Sequence, residues 1–107
     1  MNDLPDEKQI GAALQYLAET DAPCAKLIAR VKALEFQAKA ILGMEFLDAE
    51  GTVAEREAKA RASTAHRAFI NDYENAVAEC ETIRAKRKRA ELTIEVWRSL
   101  NANRRQG

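Results

Sequence analysis

The sequence is poor in the residues that interrupt helices. Four glycines and two prolines are scattered through 107 residues, and no glycine-rich run suited to cradling a phosphate is present. Aromatic residues make up 6%, and no stretch alternates polar with apolar positions, so nothing reads as a half-buried strand. The two cysteines, Cys24 and Cys80, are isolated and do not form a disulfide framework. One histidine, His66, lies more than ten residues from either cysteine, and no Cys-His or Ser-His-Asp arrangement is suggested. No apolar run approaches the roughly 18 residues of a membrane span. The start, Met1-Asn2-Asp3-Leu4, lacks the basic and apolar regions of a signal peptide. Carboxylates two apart, as in Glu55/Glu57 and Glu79/Glu81, point to different faces of a helix and do not make an acid–base pair. The reading is a protein that is not an enzyme, with no catalytic residue, cofactor, metal site, membrane or small-molecule substrate, expected in the cytoplasm.

What is abundant is helix-forming. Hydrophobic residues reach 47%, much of it alanine, and charged residues 32%, the composition of long or coiled helices. The expected fold is all-α, one helical domain over 1–107: a long antiparallel helical hairpin, coiled-coil-like, with a shorter N-terminal helix packed on its overhang. Helices are expected over 5–19, 22–50 and 53–100, with 101–107 a frayed tail.

The first has Ile10, Ala13, Leu14 and Leu17 on one stripe. Thr20 or Asp21 is suited to cap the second, with Pro23 inside its first turn. In the second helix Cys24, Leu27, Val31, Leu34, Ala38 and Ile41 recur in alternating steps of three and four. Ile28, Leu42, Phe46 and Leu47 lie beside that seam, which makes the apolar face wider than two helices need. Gly51 stops the helix, and Thr52-Val53-Ala54-Glu55 reads as a capping box opening the third. There Phe69, Tyr73, Ala76, Cys80, Ile83, Arg87, Ala90, Ile94 and Trp97 continue the spacing. The four-residue steps from Ala65 through Phe69 to Tyr73 form a stutter, where the coil should unwind.

The short connection at Gly51 makes helices two and three antiparallel neighbours, with paired residue numbers summing to about 103 on a rise of 1.5 Å per residue. The second helix then ends opposite Glu81, and the segment from Thr82 to Leu100 overhangs. Its apolar positions Ile94, Trp97 and Leu100 are candidate packing or interface residues. Either the first helix, continuing the line of the second, or a second copy of the chain covers them. In the first case Leu17 faces Ala85–Lys86 and Ile10 faces Thr93–Ile94. The same register brings Cys24 and Cys80 near each other as reduced core thiols.

Formal net charge is zero, yet residues 1–57 carry 6 Lys/Arg against 11 Asp/Glu and residues 58–107 carry 11 against 6. The cationic half could meet an anionic partner or the acidic half of another copy. The candidate anionic-partner contacts are Arg84, Lys86, Lys88, Arg89, Arg98, Arg104 and Arg105. Cations along a helix can neutralise phosphates without reading bases, but no aromatic interleaves with the run for base stacking. As a solvated face, the helix would pair Glu81 with Arg84, Arg87 with Glu91 and Glu95 with Arg98. Arg87 falls on the apolar seam, where a polar residue can set register.

The stretches Gly51-Thr52-Val53-Ala54-Glu55-Arg56-Glu57-Ala58-Lys59-Ala60 and Arg87-Lys88-Arg89-Ala90-Glu91-Leu92-Thr93-Ile94-Glu95-Val96-Trp97-Arg98, continuing to Arg105, resemble small helical proteins encoded by tailed bacteriophages and prophages. The resemblance implies a phage or bacterial setting, in the cytoplasm of the host cell, and carries over no functional residue. The functional expectation is a non-enzymatic accessory or adaptor protein acting through protein–protein contacts, as a homo-oligomer or with a helical partner. The alternative is weak, sequence-independent nucleic-acid binding in phage recombination or replication.

Overall fold

The computed structural model describes residues 4–106. Every regular element among them is an α-helix: α1, Glu7–Asp48; α2, Val53–Ala62; and α3, Thr64–Gln106. Within each of two compact units, a part of the long α1 packs against a part of the long α3, as in a helical hairpin. By packing, the chain divides into two compact units, one formed by residues 1–25 with 81–107 and the other by residues 26–80.

In the first unit the N-terminal part of α1 lies on the C-terminal part of α3. A capping box starts α1. The Asp6 carboxylate accepts from the Gln9 N–H at 2.8 Å, and the Gln9 side-chain oxygen accepts from the Asp6 N–H at 2.9 Å, which satisfies two donors that a helix start leaves without partners. Ile10, Ala13 and Ala90 are buried, so the first segment covers the overhang of α3 from within the same chain. It does so as part of α1 rather than as a separate helix.

The break expected at Thr20–Pro23 is absent, because the residues suited to a cap are engaged otherwise. The Thr20 hydroxyl donates back to the Tyr16 carbonyl at 2.7 Å, a bond made inside a helix. Arg87 of α3 donates to the Leu17 carbonyl at 2.9 Å, the Thr20 hydroxyl at 2.7 Å and the Asp21 carboxylate at 2.5 Å. Pro23 stands inside the helix and has no N–H to give to the Glu19 carbonyl. Glu19 and Pro23 are both exposed.

In the second unit the C-terminal part of α1 packs on α2 and the start of α3, with Leu34, Ala38, Ala60, Ala76 and Cys80 buried. Lys39, Leu42, Gly43 and Phe46 of α1 line one groove with Glu57, Ala60 and Arg61 of α2, so the two helices are neighbours, as the short connection at Gly51 predicts. α2 cations meet carbonyls at and just past the end of α1: Arg56 Nε donates to Phe46 O in its last turn at 3.2 Å, and Lys59 Nζ to Glu50 O in the connection at 2.7 Å. The last turn of α1 has no basic residue of its own, so Arg56 also answers the negative end of its dipole. The Arg56 guanidinium lies 4.4 Å from the centroid of the Phe46 ring.

Gly51 has φ +120°, a conformation that side chains with a Cβ rarely adopt. Thr52 then caps α2 as expected, its hydroxyl accepting from the Glu55 N–H at 3.2 Å. The Glu55 carboxylate accepts from that same hydroxyl rather than from the Thr52 backbone.

The helix expected over 53–100 is not continuous. It ends at Ala62 and restarts at Thr64. Ser63, in extended conformation, donates its hydroxyl to Ala60 O at 2.8 Å and accepts from the His66 N–H at 3.2 Å. One side chain thus closes α2 and caps α3. The break falls just before the expected stutter at Ala65. Residues 101–106, expected to fray, belong to α3, and Gly107 lies outside the described residues.

Candidate interaction surfaces

Each unit presents one surface of note. In the first unit the cations Arg84, Lys86, Lys88, Arg89, Arg98, Arg104 and Arg105 are all exposed on α3, but they do not share a face. At 100° per residue, Lys86 and Arg89 lie about 60° apart on one flank, whereas Arg84 and Lys88 lie about 40° apart on another. Lys86 and Arg89 rim an open groove of about 660 Å³ between α1 and α3, whose floor includes Ala12, Tyr16, Leu92 and Val96. Arg104 and Arg105 rim a second groove of about 560 Å³ with Leu4, Pro5, Trp97 and Leu100. Of these seven cations, Arg84 alone forms an ion pair among the described residues, with Glu81 at 3.7 Å, as expected.

Arg87 stands apart. It does not pair with Glu91 as expected, but turns inward to Asp21 across the hairpin, with 18% of its side chain exposed. It is a register pin and is not open to an anionic partner. Glu95 and Arg98, the third expected pair, form no ion pair among the described residues.

The candidate packing residues Ile94, Trp97 and Leu100 are each half-buried. Their flank neighbours Leu92 and Val96, which the sequence reading passed over, are 47% and 44% exposed. Their signal was spacing alone: four apart on a helix places both on one side of it, lining the same groove.

In the second unit the surface is on α1. Leu27, Val31, Leu34, Ala38 and Ile41 face α2 and α3 and are buried or half-buried, as are Ile28, Leu42 and Phe46 beside them. Leu47, expected beside that seam, is instead 73% exposed, with Phe36 at 75% and Met44 at 64%. Phe36, Ala40, Gly43 and Leu47 fall within about 60° of one another, roughly 160° from Leu34, Ala38 and Ile41. Ala29 and Ala33 extend this outer stripe, and all six are exposed. The stripe was legible as a second set of three- and four-residue steps, but alanines on every side of the helix masked it.

Cys24 in the first unit and Cys80 in the second are free and buried. His66 is half-buried beside the Ser63 cap. Among the described residues no group of His, Cys, Asp or Glu is placed to hold a metal ion, and no helix is long and apolar enough to cross a membrane. The sequence matches no family model, and no curated protein or solved structure is significantly similar to it.

Proposed function

We propose that this is a non-enzymatic helical accessory protein, of the kind phages encode, that works through protein–protein contact, as a homo-oligomer or with a helical partner. One observation carries the reading. Among the described residues no large side chain is fully buried, while Phe36, Met44 and Leu47 are mostly exposed. A helix that is apolar on two opposite sides is made to be covered on both. Light scattering across a wide concentration range tests self-association. The expected mass is a multiple of the 11.9 kDa chain. A strict monomer at high concentration removes the oligomer from the reading.

A second reading rests on a different observation: Lys86, Lys88, Arg89, Arg104 and Arg105 are exposed and form no ion pair among the described residues. Such a surface supports weak, sequence-independent nucleic-acid binding. It predicts an affinity that falls steeply with salt and is lost on reversing the charge of Lys88 and Arg89. No binding to single- or double-stranded DNA at low salt would sink it.

A further inference from the structure

The outer stripe of α1 has features that specify its occupant. It runs about 27 Å from Ala29 to Leu47 at 1.5 Å per residue. Small residues predominate, and two large ones, Phe36 and Leu47, stand out. Charges flank it unevenly: Lys26 and Arg30 lie on one edge near its start, and Asp48 lies on the same edge at its end. All three are exposed and form no ion pair among the described residues.

We infer that this face binds a second copy of itself, antiparallel, about a two-fold axis beside Ala38, so that paired residue numbers sum to about 76. This rests on the reading of the protein as one that works by protein contact, and names the partner and the surface. In that register each large side chain meets a small one. Phe36 lies against Ala40 of the other copy, Leu47 against Ala29, and Ala33 against Gly43. Alternating large and small residues across facing positions is how two helices interdigitate without voids. A two-fold axis makes each contact occur twice.

Charge selects the same arrangement. In an antiparallel pair, like edges meet. Lys26 and Arg30, one turn apart, then straddle Asp48 of the other copy, each displaced from it by about one half-turn. On the opposite edge Lys39, paired within its own chain to Glu35 at 3.7 Å, comes beside Glu35 of the other copy. A parallel pair brings opposite edges together, so Asp48 would lose Lys26 and Arg30 of the other copy, and in register it would set Phe36 against Phe36 and glycine against glycine across a gap.

Two measurements test this. Phe36→Glu places a carboxylate on the stripe and touches nothing in the core, so helicity by circular dichroism is expected to stay at the native level while the mass falls to that of one chain. An oligomer that survives Phe36→Glu overturns the assignment of this face and leaves the protein-contact reading standing. A native protein that is monomeric throughout overturns self-association itself. For register, Ala33→Cys and Gly43→Cys are prepared separately with Cys24 and Cys80 replaced by alanine. A short bis-maleimide is expected to crosslink the mixture of the two and neither alone. Crosslinking of each variant with itself, or none in an intact dimer, overturns the antiparallel register.

Discussion

Arg87 on α3 donates to the backbone carbonyl of Leu17 on α1, across 70 positions of sequence and at 2.9 Å. The same guanidinium holds Thr20 and Asp21, so one side chain grips a whole turn of the facing helix. That turn lies just ahead of Pro23, where α1 lacks a backbone hydrogen bond.

Replacing Arg87 with alanine is therefore expected to destabilise the protein by about 1–2 kcal/mol. The Asp21 carboxylate is largely exposed, which limits its share through solvent screening, and the rest comes from the half-buried hydrogen bonds. Urea unfolding measures the change. Arg87→Lys, with a point charge in place of a fork, should recover only part of it. Native stability in the alanine variant would remove the pin.

Pro23 leads to a prediction of opposite sign. Its side chain is exposed, and its ring removes the Glu19 hydrogen bond from a continuous helix. Pro23→Ala is expected to raise stability by about 1–3 kcal/mol, read as a higher thermal midpoint. A lower midpoint would mean that the proline shapes α1 in a way the packing needs.

Gly51 is held in place by conformation and by space. A methyl group on it would lie 2.5 Å from Glu55 Oε2 and 3.2 Å from Glu55 Cβ, at φ +120°. Gly51→Ala is expected to cost about 1 kcal/mol or more. Since it also crowds the cap partner of Thr52, adding Thr52→Ala should cost less than it does alone. A double-mutant cycle gives the coupling.

Ser63 serves two helices, and its loss should be felt in both. Ser63→Ala is expected to destabilise by about 1 kcal/mol, with amide exchange quickening at His66 and nearby residues of α3. Unchanged exchange there would show that the hydroxyl is dispensable to the break.

Much of this fold was legible because helices are local. The helical composition and the Thr52 cap are set by residues close in sequence and appear as expected, except that Glu55 meets the Thr52 hydroxyl and not its backbone N–H. Counting residues from the turn at Gly51 showed that α3 has an overhang in need of cover, and left open whether the first helix or a second copy supplies it. The Thr20–Pro23 boundary was misread for a physical reason. Thr20, Asp21 and Pro23 have the chemistry of a helix start, but the Tyr16 carbonyl takes the Thr20 hydroxyl and Arg87, far away in sequence, binds both Thr20 and Asp21. At Ser63 the opposite happened. A helix that propensity would continue is cut by one hydroxyl with a better use at its ends.

The interaction surfaces divide along the same line. The sequence determined by itself that the chain is helical, where its cations lie, and that apolar residues exceed what one seam needs, since these follow from composition and a period of 3.6. The tertiary structure alone decided which apolar residues are covered. Ile94, Trp97 and Leu100 gain cover from the start of α1, while Phe36 and Leu47 stay exposed on its far side. The period gives two stripes on α1 equal standing, and burial separates them only once α3 has packed against one.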